Sequence, residues 1–261
     1  MKYSVKDVKR AIPIEKKKRD SIWTKIWPRP LSYYFSAFLL NIYVTPNMVS
    51  VISIIVAILA SVFIGINSEG FIIAGLILLN LFIEFDCIDG MMARTLKSNS
   101  YMGDFYYAMG GYTMCELPFL SIGLCAYHTG RNIILNDGEI LLILAALGCI
   151  CDIFSRLIYQ KYTSNVMIAD SKNGRELIRE NDSFYSEKPS FSITYLRLLI
   201  DREFGVAGFF PPIVLLAYIF KFIDCVVIIY SIYHILAFLI ALILFCRKAS
   251  LYDYLVMKED R

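Results

Sequence analysis

Between residues 48 and 246 the chain is a series of long apolar runs broken by short polar stretches. The runs lie near residues 48 to 66, 71 to 90, 104 to 127, 139 to 159, 206 to 221 and 224 to 246. A helix needs about 20 apolar residues to cross a hydrocarbon layer of about 30 Å, and runs of this kind predict six transmembrane helices. Ahead of them, residues 31 to 41 read LSYYFSAFLLN, a mixture of aromatic, apolar and hydroxyl side chains too short to span. That composition predicts an amphipathic helix lying in the plane of the membrane interface. The predicted fold class is therefore an all-α membrane protein, six transmembrane helices preceded by an N-terminal interfacial amphipathic helix.

Composition agrees with that pattern. Hydrophobic residues make up 57% of the 261, and the mean hydropathy of +0.58 is too high for an ordinary soluble domain. The net charge of +3 matters less than where the charges fall. Residues 1 to 30 carry 10 Lys or Arg, the segment 160 to 205 carries 7 and the tail 247 to 261 carries 4, whereas the opposite connections offer only Arg131 and Lys221. The positive-inside rule then places both termini in the cytosol. Three parts follow: a basic arm with the interfacial helix over 1–47, a membrane domain over 48–246 with a cytosolic loop at 160–205, and a cytosolic tail over 247–261. Residues 1 to 30 hold Trp23 and Trp27, which suit a membrane-apposed arm, and lack the apolar core of a cleavable signal. Membrane lipids are the expected surroundings, and no nucleic acid is expected as a partner.

Seven cysteines lie almost entirely inside apolar runs, where cysteine packs as a small hydrophobe, so no disulfide framework is expected. Cys149 and Cys151 are two apart and face different ways on a helix. His128 and His234 stand apart from any metal-ligand spacing.

The chemistry concentrates where the second run ends, in FIEFDCIDGMMARTLKSNSYMGDFYYAMGGYT over residues 82 to 113. A carboxylate costs about 2.5 to 3.5 kcal/mol at the centre of a spanning helix on insertion scales and still costs something near the hydrocarbon boundary, so Asp86 and Asp89 read as functional groups. Three apart on a helix, their Cβ atoms are about 5 to 6 Å from one another, close enough to share a divalent cation and repulsive without one. Gly90 and Ala93 keep the adjoining face small, and Arg94 adds a positive charge suited to phosphate. Two carboxylates for Mg2+ or Mn2+, a small-residue wall and an arginine together describe a nucleotide diphosphate site.

Written as a pattern, Asp86-x2-Asp89-Gly90-x2-Ala93-Arg94-x8-Gly103 resembles the signature of the CDP-alcohol phosphotransferase (CDP-alcohol phosphatidyltransferase) family. The resemblance implies metal-dependent transfer of a phospho-alcohol or phosphatidyl group from a CDP-activated lipid or alcohol to an alcohol acceptor. CMP is released, as in phospholipid or related lipid or glycan synthesis, and the family likeness also implies a homodimer. Asn47, in a Pro-Asn entry that is frequent in the family, either simply starts the first long helix or joins Gly90, Ala93, Arg94 and Gly103 as a substrate-binding residue. The family pattern continues with two more aspartates, and there this chain has Tyr107 and Gly111. The resemblance implies that the first three aspartates hold metal and the fourth is the general base. The chain thus diverges, and the base position is occupied by Gly111.

Asp104 is the nearest substitute, on roughly the Gly111 face but about 10 Å away along a helix axis, placed to touch a metal from the rim or to cap the third helix. Glu84 and Glu116 point off the required faces, and Asp152 is a lone acid in the fourth run. Arg156, Arg197 and Arg202 flank the long polar loop and read as phosphate ligands or as topogenic charges. Two functions of different class remain: a phosphotransferase with a rearranged base, or a catalytically silent relative that binds nucleotide and metal or stabilises a partner. A transporter is the weaker reading, because the acids gather at one edge instead of the midplane.

Overall fold

The computed structural model describes residues 2–98, 100–129, 133–135, 137–172 and 193–259, and every regular element among them is an α-helix. Four short helices open the chain: α1 (Val5–Ala11), α2 (Ile14–Arg19), α3 (Ile22–Ile26) and α4 (Pro28–Asn41). Then come α5 (Pro46–Gly65), α6 (Glu69–Leu96), α7 (Tyr101–Thr129), α8 (Gly138–Lys172), α9 (Ile193–Phe204), α10 (Phe210–Ile219) and α11 (Ile223–Glu259).

Four of these, α5, α6, α8 and α11, are long and apolar enough to cross a membrane by length and composition, which makes the chain an integral membrane protein. The run predicted at 104 to 127 lies within α7, whose 29 residues include Pro118. The run predicted at 206 to 221 is α10, a helix of only 10 residues. Two helices overrun the boundaries that their apolar stretches suggested. The fourth run continues as α8 to Lys172, and the last continues as α11 to Glu259, through most of the expected tail. Neither extension contains Gly or Pro, so nothing stops the helix where hydrophobicity ends. The loop expected over 160–205 is thus helical at both ends, while residues 173 to 192 lie outside the described residues.

The N-terminal arm is structured, which its charge pattern had not suggested. Ser4 and Asp7 form a capping box on α1, and the hydrogen bonds from Ser4 hold the Asp7 carboxyl below its ordinary range. Val8 and Ile12 are buried in a small apolar core with Ala37 and Leu40 of α4, Val49 of α5, and Ile88, Met91 and Met92 of α6. Asn41 closes the arrangement, accepting hydrogen bonds from the backbone N–H groups of Lys2 and Tyr3 at 2.7 and 3.1 Å. The helix expected over 31–41 begins earlier, at Pro28, where a ring-fixed φ suits the first turn.

Inside the bundle, small residues let backbones approach, as expected where lipid removes the hydrophobic drive between helices. A Cβ on Gly75 of α6 would fall 2.7 Å from the Ala60 carbonyl of α5, so only glycine permits this crossing. The larger core joins Ala57, Ala60 and Ile64 of α5 to Leu76 and Leu79 of α6, Met114 and Ile122 of α7, Leu141 and Ala145 of α8, and Val214 and Val227 from α10 and α11.

The α5 helix sets the relative depth of its two neighbours. Its Ser50 bonds to Asp89 of α6. Asn47 lies against Gly103 of α7, and Ile54 against Gly110. A residue midway between 47 and 54 therefore marks both Asp89 and the turn of α7 around residues 106 and 107. One turn deeper, the same ruler brings Asp86 level with Gly110 and Gly111.

Candidate functional site

The C-terminal half of α6 distributes its acids among three neighbours. Glu84 is buried against α4 and accepts from the Ser32 hydroxyl at 2.9 Å. Asp89 is buried and accepts from the Ser50 hydroxyl of α5 at 2.5 Å. Asp86 is half-buried and lines a pocket bounded by α2, α3, α4 and the end of α9. Asp86 and Asp89 thus remain neighbours on one helix, with Glu84 turned away from them as its position in the sequence required.

Around this pair the other expected residues are arranged unequally. Arg94 folds back along its own helix, donating from Nη1 to the Gly90 carbonyl at 2.8 Å, so its guanidinium covers the small face at Gly90. Ala93 is half-buried on the same turn. Asn47 and Gly103 meet, for a Cβ on Gly103 would stand 3.4 Å from the Asn47 Oδ1. Asp104 is exposed, and the hydroxyl that accepts from the first turn of α7 is that of Ser100, from Gly103 N–H at 3.3 Å. Capping therefore falls to Ser100, because a serine preceding the first turn presents its oxygen to the unpaired N–H groups that Asp104, already inside the helix, cannot face.

Tyr107 is 68% exposed. A Cβ built on Gly111 has nothing within 4 Å. The positions where the family pattern has its later aspartates therefore border open space at the depth of Asp89 and Asp86.

Among the described residues no group of three or more His, Cys, Asp or Glu side chains forms a metal set, so Asp104 does not complete one with Asp86 and Asp89. Two carboxylates are nevertheless a fitting donor set for one small hard cation. Magnesium is commonly held by one or two carboxylates, its remaining positions filled by water and substrate phosphate oxygens. Ser50 restrains one of the two, the kind of outer contact that orients a ligating carboxylate.

A second polar group was missed by sequence reasoning. Asp152, expected as a lone acid, accepts from Arg156 Nε at 2.8 Å and lies 3.4 Å from His234 Nδ1 of α11. Arg156 also stands 3.7 Å from Glu116 Oε1 of α7 and donates to Cys115 Sγ at 3.1 Å. Arg156 is thereby committed to the bundle interior and is not presented as a phosphate ligand. The four-residue step from Asp152 to Arg156 was the available signal, since such pairs share a helix face. On the same depth scale Glu116 lies five residues beyond Gly111, about 7 to 8 Å further from the surface, too deep to stand in for the absent acid. The side chain of Arg197 lies outside the described residues. All seven cysteines are free.

An all-helical membrane protein with a paired-carboxylate site at one end of its second long helix is thus defined. Residues 43–107, which cover α5, α6 and the first turns of α7, match the family model described as CDP-alcohol phosphatidyltransferase, a match that supports membership in that family. The family is one of transferases, whose substrates are CDP-alcohols. A search of curated proteins found no match.

Proposed function

We propose that the chain transfers a phospho-alcohol or phosphatidyl group from a CDP-activated donor to an alcohol acceptor, releasing CMP. The observation that carries this is the Asp86 and Asp89 pair, one held by Ser50 and one open to a pocket, within the segment that matches the family. In this reading Asp86 and Asp89 hold one Mg2+ or Mn2+, which would neutralise charge on the diphosphate during transfer. Gly90 and Ala93 give the donor a close approach to the helix, and Asn47 and Gly103 close the far side of the same depth level. Arg94 exchanges its contact with the Gly90 carbonyl for a diphosphate oxygen. Mg2+ should support CDP binding by the full chain in lipid nanodiscs, and chelation by EDTA should abolish it. Binding of CDP with equal affinity after chelation would sink the reading.

A second reading, a silent member that binds nucleotide and metal without turnover, is favoured by one specific observation. Tyr107 and Gly111 leave the level of Asp86 and Asp89 on α7 without an acid. The two readings share the binding prediction and separate only in CMP release.

For topology, we propose six spans, with α7 and α10 completing the four apolar helices, and the carboxylate pair at the cytosolic mouth of a membrane domain over 48–246. The arm over 1–47 and the end of α11 lie on the cytosolic side, where their Lys and Arg are concentrated. A homodimer completes the proposal. Cysteine placed at Asn67 or Asp137, in a background without the native cysteines, should react with an impermeant maleimide from the outer face alone. Labelling from the cytosolic side alone would invert the topology.

A further inference from the structure

Deeper in the bundle, α7, α8 and α11 meet around four ionisable side chains that the transfer chemistry above leaves unused: Glu116, Asp152, Arg156 and His234. Glu116 and Asp152 expose only 12% and 13% of their side chains. Aromatic rings close in on His234, the centroids of Phe119 and Tyr233 lying 5.7 and 5.4 Å from its own. The two nearby thiols are engaged without adding charge. Cys149 Sγ donates to the Glu116 backbone carbonyl at 3.4 Å, and Cys115 Sγ accepts from Arg156 Nη2 at 3.1 Å.

Arg156 supplies the fixed positive charge, because a guanidinium keeps its proton in a protein. Its Nε donates to Asp152 at 2.8 Å and stands 3.7 Å from Glu116 Oε1, beyond hydrogen-bond range. One arginine therefore faces two carboxyls and directly satisfies one. With both acids ionised, an excess negative charge would sit in an interior of helices and rings, where an uncompensated charge is strongly destabilising. A single added proton restores neutrality.

The geometry marks the place for that proton. The Glu116 and Asp152 carboxyls lie within hydrogen-bonding reach of one another, and two carboxylates, which only accept, can hold that arrangement only with a hydrogen between them. Within the cluster two buried atoms have no hydrogen-bond partner, Glu116 Oε1 and His234 Nδ1, one on either side of Asp152. Of the two neighbours, His234 is the looser, its Nδ1 3.4 Å from Asp152 Oδ1. Asp152 also has the direct bond from Arg156, which favours its anion, and Glu116 has no such bond.

We infer that this cluster is a proton-binding site in which Glu116 and Asp152 share one proton, carried on Glu116, while Arg156 holds Asp152 ionised. The inference is independent of the reading of Asp86 and Asp89, which stand on another helix. Through the shared hydrogen α7 is bonded to α8, and through Asp152 the contact continues to α11, so three helices are tied at a point with no net charge. Loss of the proton replaces that bond with repulsion between two like charges. Exchange with solvent has a route along α8, where 37% of the Arg156 side chain is exposed and Gln160, one turn further on, is exposed and bonded to the Tyr112 hydroxyl.

Infrared difference spectroscopy of the full chain in lipid nanodiscs at neutral pH tests the assignment, since a protonated carboxyl has a carbonyl stretch that an ionised one lacks. One such band, shifted in D2O, should be present in the unmodified chain and lost in Glu116→Gln. Asp152→Asn should abolish the same band, because it frees Arg156 to pair with an ionised Glu116 and the cluster is then neutral without the extra proton. Glu116→Gln keeps a hydrogen donor toward Asp152 and should retain the parent melting temperature, whereas Glu116→Ala lowers it. Raising the pH until the band disappears should quicken amide exchange across α7 in the unmodified chain relative to Glu116→Gln at the same pH. A band that survives Asp152→Asn would make Glu116 a solitary buried acid and overturn the shared site. A spectrum unchanged by Glu116→Gln, or an imidazolium signal from His234 in nitrogen NMR without any Glu116 band, would overturn it as well. Should Glu116→Gln fail to fold, the Asp152→Asn spectrum reads the same band.

Discussion

Asp86→Asn combined with Asp89→Asn should lower Mg2+-dependent CDP binding by at least about 100-fold and, in the same protein, leave the melting temperature unchanged or raise it. Partners that merely orient metal ligands are worth about 10- to 100-fold in affinity, and removing both ligands has to exceed that. Ser50→Ala, which removes the contact restraining Asp89, should fall within that smaller range. The stability half of the result comes from the solvent. A carboxylate costs about 2.5 to 3.5 kcal/mol at the centre of a spanning helix on insertion scales and less toward the membrane boundary, and asparagine escapes the charged part of whatever cost remains there. Ser50 can still donate to an amide oxygen at position 89, so the α5 and α6 contact persists. Groups kept for function at the expense of stability behave this way when neutralised. A double variant that melts well below the parent while binding CDP normally would mark the pair as structural.

Those two aspartates were legible in the sequence because acids stand out against an apolar run, and their helix neighbours followed from spacing alone. Long-range partners were not. Ser50 is one hydroxyl among several in α5, and only the antiparallel crossing at Gly75 brings it to Asp89. The arm illustrates the same limit. Its lysines and tryptophans mark it as a membrane-apposed arm, yet Val8 and Ile12 are buried because α1 folds onto α4 and α6, a docking that local periodicity over seven residues cannot reveal. Helix ends failed for another reason. Hydrophobicity reports where lipid would begin, while helix termination needs a breaker, and α8 and α11 continue past their apolar runs for want of one. His234 and Asp152 show the converse: each looks solitary in the sequence, and parallel packing of α8 and α11 makes them neighbours.

Tyr107→Asp with Gly111→Asp should raise CMP release from a CDP-activated donor by about 10^2- to 10^4-fold, the usual worth of general-base assistance. Sterically the chain accepts both changes. Position 111 has no atom within 4 Å of its would-be Cβ, and Tyr107 is 68% exposed, so neither aspartate must displace a neighbour. Glycine also costs more than aspartate inside a helix, by a few tenths of a kcal/mol, so α7 should not be weakened at that position. The depth scale set by α5 supplies the rest of the argument. Asn47 against Gly103 and Ile54 against Gly110 put residues 107 and 111 level with Asp89 and Asp86, within a turn of where the attacking hydroxyl must lose its proton. An aspartate at 111 would then face the reacting centre, and one at 107 would add a third carboxylate beside the first cation. Gly111→Asp alone should recover most of the rate if proton removal is limiting; a gain requiring Tyr107→Asp as well would show that cation occupancy limits first. Unchanged turnover in the double variant, with CDP binding intact, would mean that α7 turns this face away from the carboxylate pair.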